Sequence, residues 1–264
     1  MTQVFQRNAV TLLGKGEQTI VFAHGLGCNQ DMWQYISSSF QNYQLVLFDH
    51  VGSGKSDLTA YHSEKYNALT GYAHDLIELL EHLHTSPVIF VGHSISSMIG
   101  MLAAIERPEL FKSIIMIGPS PCYVNEEDYK GGFEQHEIHE LLDLMEMNFA
   151  GWASYLAPLV IDYQQQPHVK DELEALFVSS NPRIAREFAE VTFFSDYRAQ
   201  LHELTIPTLI IQCAEDSIVP VHVGQYMADR IPNNELIVMG ARGHYPHISH
   251  PAATISHIKH FLKK

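Results

Sequence analysis

The sequence predicts an α/β fold: a mostly parallel, twisted sheet flanked by helices, with an all-helical segment inserted after one of its strands. Two observations carry this expectation. Short apolar runs alternate with longer stretches of helical period. That alternation stops between about Tyr123 and Asp196, where no strand is apparent. The length of 264 residues, 46% of them hydrophobic and 17% charged, suits one large core with an insertion and argues against disorder.

Taken in order, the clearest strands are Thr19–Ala23, Gln44–Phe48, Val88–Val91, Ser113–Ile117, Thr208–Gln212 and Glu235–Met239. After Ser94, the residues Ile95, Met98, Ile99, Leu102 and Ile105 recur at helical spacing until Pro108 closes the run. In the interrupted stretch, Ile138, Leu141, Leu142, Met145, Phe149, Trp152 and Leu156 fit one helical face. Asn181-Pro182 reads as an N-cap with proline at the first helical position, followed by Ile184, Phe188 and Val191. The expected division is a core of residues 1–122 and 197–264, with residues 123–196 as a helical lid over the sheet.

Charge excludes several classes of partner. Lys+Arg is 16 and Asp+Glu is 30, a formal net charge of -14. Such a surface repels nucleic acid and anionic membranes. Cys28, Cys122 and Cys213 are odd in number, far apart and without metal or CxxC spacing, as expected of reduced thiols in a cytoplasmic protein. Met1–Val10 lacks the apolar stretch of a signal peptide, and no run reaches the roughly 18 apolar residues of a membrane span.

The chemistry begins at Val88-Ile-Phe-Val-Gly92-His93-Ser94-Ile95-Ser96, a strand, a sharp turn and a helix with serine at the apex. Such a turn lifts the hydroxyl clear of the sheet, beside the free N–H groups of a helix N-terminus. The usual pattern is G-x-S-x-G; here the last position is Ser96, which is acceptable where smallness is what matters. Alone, the motif could equally be a strand-to-helix turn with a capping serine.

Its partners make it more. A serine hydroxyl needs a histidine base, and that histidine needs a carboxylate to fix its tautomer. In this architecture the chain order is Ser, acid, His. The strand Thr208–Gln212 leads into Glu215-Asp216, and Asp216 is the expected acid, with Glu215 its rival as a solvated loop charge. The last strand leads into Ala241-Arg242-Gly243-His244, so His244 is the expected base among 17 histidines. His244, His247 and His250 do not form a two-histidine helix with an acidic partner, and Pro246 interrupts them, so no metal is expected. For the oxyanion hole, the expected backbone donors are Ile95 and, in His24-Gly25-Leu26-Gly27, Leu26. Gly52-Ser53-Gly54-Lys55-Ser56 mimics the end of a phosphate-binding loop. The first glycine that the motif requires is replaced by Asp49, so neither a nucleotide nor another cofactor is expected.

These segments define an α/β-hydrolase fold, and more specific stretches follow in order: HGLGCNQDMW, FDHVGSGKSD, GHSISSMIGMLA, RPELF, GPSPCY, GGFE, GWASYLAP, FFSD and ARGHYPHISHP. Together they resemble the RsbQ family of bacterial stress-response regulators over nearly the whole chain, lid included. They are also similar to the plant strigolactone and karrikin receptors, which share serine at position 96. The resemblance implies a Ser94–His244–Asp216 triad under a helical cap. It also implies a small hydrophobic ligand such as a butenolide lactone, and a protein partner of the PAS-domain phosphatase type in a sigma-factor stress pathway. Expected pocket residues are Leu26, His93, Ile95, Phe133, Phe149, Trp152, Leu156, Phe193, Phe194 and Ile218, although ordinary core packing would account for any single aromatic. A stand-alone esterase and a ligand-gated signalling protein both fit. A purely structural module does not need an intact triad, and a dehalogenase would carry Asp in place of Ser94.

Overall fold

A computed structural model describes residues 3–85, 87–164 and 166–264. Of the N-terminal stretch read for a leader, Met1 and Thr2 lie outside the described residues. The strands are β1 (Thr11–Gly14), β2 (Thr19–Ala23), β3 (Gln44–Phe48), β4 (Val88–His93), β5 (Phe111–Ile117), β6 (Thr208–Glu215) and β7 (Asn234–Arg242). The helices are α1 (Gln3–Arg7), α2 (Gln34–Ser37), α3 (Leu69–Leu83), α4 (Ile95–Glu106), α5 (Gln135–Met147), α6 (Phe149–Val160), α7 (His168–Val178), α8 (Pro182–Phe193), α9 (Val221–Ala228), α10 (Pro246–Ser249) and α11 (Pro251–Phe261).

The strands form one seven-stranded sheet in the order β1-β3-β2-β4-β5-β6-β7. All neighbours run parallel except β1, which pairs antiparallel with β3. β2 and β4 are buried along their whole length, β3 and β5 along nearly all of theirs. Helices on both faces of a parallel sheet require that, and it explains why these strands read as unbroken apolar runs. β1 escaped the sequence reading because all four of its residues are exposed and carry no alternation. β6 and β7 run three residues past their expected ends, and the pairing is irregular between Cys213 and Glu215.

Strand order reverses direction between β2 and β4: the chain leaves β2 for one side of it and returns on the other as β4. At such a switch point the two following loops diverge and leave a crevice at the carboxyl ends of the strands. The loop after β2 holds His24–Gly27, and the turn after β4 holds Ser94. Between β5 and β6, the described residues form α5–α8 and add no strand to the sheet. Entry and exit of this segment are tied together: Cys122 bridges Asp196, and the Tyr197 N–H donates to the Pro121 carbonyl at 2.8 Å. None of the described helices is long and apolar enough to cross a membrane.

Candidate active site

Ser94 sits between β4 and α4 with φ 54° and ψ -124°, a backbone conformation costly for a residue with a Cβ. Two features hold it there. Its N–H donates to the Ile117 carbonyl of β5 at 2.8 Å. Gly92 lets α4 close over the strand end, since a Cβ there would stand 2.8 Å from the Ser96 carbonyl carbon and oxygen.

The hydroxyl of Ser94 lies 2.8 Å from His244 Nε2, and His244 Nδ1 lies 2.7 Å from Asp216 Oδ2. A carboxylate can only accept, so Nδ1 carries the proton and Nε2 is left to accept from Ser94. The Asp216 side chain is 1% exposed, and its other oxygen accepts the N–H groups of Ile218 (2.8 Å) and Val219 (3.1 Å). Glu215, the rival acid, is exposed, and only its backbone carbonyl serves the site, accepting Gly243 N–H at 2.7 Å. Sequence reasoning missed Gly118. It follows β5 at φ 61°, and a Cβ there would stand 3.0 Å from His244 Cε1, so the ring fits only above a glycine.

The end of α6 is bonded to both loops that carry these groups. His244 N–H donates to the Val160 carbonyl at 2.6 Å, and Ser217 Oγ donates to the Leu159 carbonyl at 2.7 Å. The end of α6 therefore cannot move without disturbing the neighbours of Asp216 and His244.

Above Ser94 is a cavity of about 40 Å³. Of the expected pocket residues, Leu26, Trp152, Leu156, Phe193 and Ile218 line it. Four others do not. His93 ends β4 on the opposite side of the pleat and lies beneath, its Nε2–H donating to the His244 carbonyl at 2.9 Å. Phe133 packs behind Phe193, and Phe149 stacks on the far side of Trp152. Phe194 lines a separate groove of about 630 Å³ with Tyr61, Tyr66, Val191 and Tyr197. Ile95 is absent from the lining as well: its side chain is fully buried in the core, which leaves only its backbone to serve Ser94. The lining also includes Tyr123, Phe177 and Tyr245, which the sequence reading did not place in the pocket. Tyr123 ended the quoted GPSPCY stretch, and its hydroxyl is 3.5 Å from Ser94 Oγ. Burial pushes its phenol well above the ordinary range, so it stays a donor.

The three late histidines part company. His244 faces Ser94; His247 is buried against Trp33, ring centroids 4.7 Å apart; His250 lies 3.7 Å from Asp162. The loop at Gly52–Ser56 wraps a buried carboxylate instead of a phosphate: Asp49 accepts the N–H groups of Gln30 and Lys55, each at 2.8 Å.

A strained serine between strand and helix, bonded to a histidine that a buried aspartate orients, is the constellation of a serine hydrolase. The chain belongs to the Alpha/beta hydrolase family, whose model matches residues 20–257. It is similar to a Karrikin insensitive 2 receptor of Petunia hybrida, 37% identical with 97% of each chain covered. It is likewise 37% identical to a Strigolactone esterase of Pisum sativum, with 95% of each covered. Among solved structures, a hydrolase from Oleispira antarctica superposes with a TM-score of 0.96 at 40% identity, covering 99% of this chain and 97% of that one.

Proposed function

We propose that this chain binds a small apolar ester or lactone between the sheet and a lid of residues 123–196, and cleaves it at Ser94. The observation that carries this is the unbroken hydrogen-bond relay Ser94–His244–Asp216 opening into an apolar cavity. In this reading Ser94 Oγ attacks the carbonyl carbon as its proton passes to His244 Nε2. The oxyanion gathers at the N–H groups of Leu26 and Ile95. His244 then returns the proton to the leaving alkoxide, and water reverses the sequence on the acyl-enzyme. No metal or cofactor enters these steps.

Ligand sites for small molecules usually enclose roughly 300–1,000 Å³, so a cavity of about 40 Å³ admits such a ligand only after the lid helices separate from the core. The names of the relatives, a karrikin-pathway receptor and a strigolactone esterase, favour a butenolide-type lactone over a long-chain ester. Turnover of a short-chain aryl ester and of a synthetic butenolide ether, followed by product formation, tests the reading. Hydrolysis of either supports it, and inertness toward both argues against it.

A second role is favoured by the lid. GPSPCY and GWASYLAP resemble the stress-response regulators as closely as the core does. We therefore propose that lid movement signals to a PAS-domain phosphatase in the cytoplasm and so to a bacterial sigma-factor pathway. Glu134, Glu137 and Glu140 are exposed at the start of α5 and form the docking face in this proposal. Reversing all three charges should weaken phosphatase activation and leave aryl-ester hydrolysis within about twofold, since exposed charges are screened over about 10 Å; Glu134 and Glu137 also cap α5, so circular dichroism of the variant checks that the helix is kept. Joint loss of both readouts, or loss of neither, would sink the docking face.

A further inference from the structure

Ser96 departs from the glycine of the usual pattern, and the structure gives its hydroxyl two partners. It donates to the His24 carbonyl at 2.5 Å, and it lies 2.8 Å from His50 Nε2. A carbonyl oxygen can only accept, so the Ser96 proton is committed to His24, and His50 Nε2 must carry a hydrogen and donate to Ser96. The His50 backbone N–H donates in turn to His24 Nε2 at 3.1 Å. That makes Nε2 of His24 an acceptor, so its Nδ1 carries the hydrogen and donates to the Gly25 carbonyl at 2.9 Å. The His50 tautomer is set by Ser96, and the His24 tautomer is set by the His50 backbone N–H. All three side chains are buried, and burial holds both imidazoles below their ordinary range, so they remain neutral as this circuit requires.

The circuit joins two segments that have to keep a fixed separation. Ser96 is on the first turn of α4, one residue after Ile95. His24 and Gly25 immediately precede Leu26. The two N–H groups assigned to the oxyanion therefore come from opposite sides of the Ser96–His24 bond. Glycine at position 96 would leave a buried His50 N–H without its acceptor and free the His24–Leu26 loop from the helix. We propose that Ser96 and His50 are positioning residues of the oxyanion pocket, fixing the Leu26 and Ile95 N–H groups at the spacing that a tetrahedral oxyanion needs. The proposal rests on the Ser94 chemistry above.

The test measures steady-state aryl-ester hydrolysis and inhibition by a short-chain trifluoromethyl ketone. That ketone accepts Ser94 Oγ at its carbonyl carbon, the carbonyl pair moves to oxygen, and the serine proton moves to His244, giving a reversible oxyanion adduct. Losing one oxyanion donor outright costs roughly 10²–10³ in kcat, so misplacing one in Ser96→Ala should cost about 10–100-fold. KM should stay within about threefold, because ground-state binding does not use the oxyanion pocket. The ketone's Ki should rise by the same factor that kcat falls. His50→Leu should behave like Ser96→Ala, whereas His50→Gln, which keeps an N–H donor, should recover most of the loss. The histidine pair carries the test if Ser96→Ala does not fold. A kcat within about threefold of wild type in Ser96→Ala and His50→Leu would overturn the proposal. So would a loss of kcat with unchanged Ki, which marks a general packing defect. Wild-type protein that neither hydrolyses the ester nor binds the ketone would instead remove the Ser94 reading itself, and the two failures are told apart in the unmutated protein.

Discussion

Replacing His247 by leucine should make this protein more resistant to acid, by an amount the structure sets. His247 is fully buried on α10, packed against Trp33 and His93, and neither ring nitrogen has a hydrogen-bond partner among the described residues. Burial, with a smaller electrostatic contribution from the neighbouring His244 ring, lowers its pKa to about 3. In the unfolded chain an imidazole titrates near 6.5. Between these values the unfolded chain binds a proton that the folded one refuses, so the contribution is intact above about pH 6.5 and is lost progressively as pH falls toward 3. The loss reaches about 1 kcal/mol at pH 5.5 and about 3 kcal/mol at pH 4.5. His247→Leu abolishes it and breaks no hydrogen bond. Urea unfolding of wild type and variant at pH 7.5, 5.5 and 4.5 measures the gap directly, and carboxylate titrations common to both chains cancel. The gap should move in the variant's favour by those amounts relative to pH 7.5. Parallel stability profiles would show that His247 protonates inside the fold and would refute the reasoning. His24, His50 and His93 are shifted in the same direction by burial, so both chains should weaken as pH falls below about 6.5.

Two other substitutions probe the site's supports. Gly118→Ala places a Cβ 3.0 Å from His244 Cε1 on backbone at φ 61°. With strain of about 1–3 kcal/mol it should lower aryl-ester kcat at least ~10-fold and leave circular dichroism unchanged; activity equal to wild type would mean the ring has room to spare. Trp152→Ala removes the largest side chain lining the cavity and should cost about 3–5 kcal/mol in urea unfolding. The same variant should lower KM for bulkier acyl groups relative to acetyl, and an unchanged acyl preference would show that Trp152 does not bound the ligand space.

The hydrolytic relay was more legible in the sequence than its surroundings, for physical reasons. Ser94 and Asp216 each follow a strand buried enough to read as an apolar run, and His244 follows β7, which is mostly half-buried or exposed but keeps the apolar run Leu236–Met239, so strand ends alone locate them. Rotation about an element axis is what the sequence concealed. His93 precedes Ser94, but alternation along β4 turns it beneath the site. Phe193 and Phe194 are adjacent, and a helical step of about 100° sends one into the cavity and the other into a surface groove. Phe149 shares a helical face with Trp152 but stacks on the side away from Ser94. Phe177 could have been found, since Val169, Leu173 and Phe177 recur every four residues along α7 and are all buried. Tyr123 and Tyr245 carried no periodic signal. One lies between β5 and α5 and the other beside His244, and only the fold brings them together.

Covalent capture of Ser94 tests the central claim most directly. A fluorophosphonate should add one mass increment to the intact protein. Peptide mapping should place it on the Val88–Ser97 segment at Ser94, and Ser94→Ala should remove both the adduct and roughly 10³-fold or more of aryl-ester kcat. An adduct on another residue, or turnover that survives in Ser94→Ala, would contradict the account.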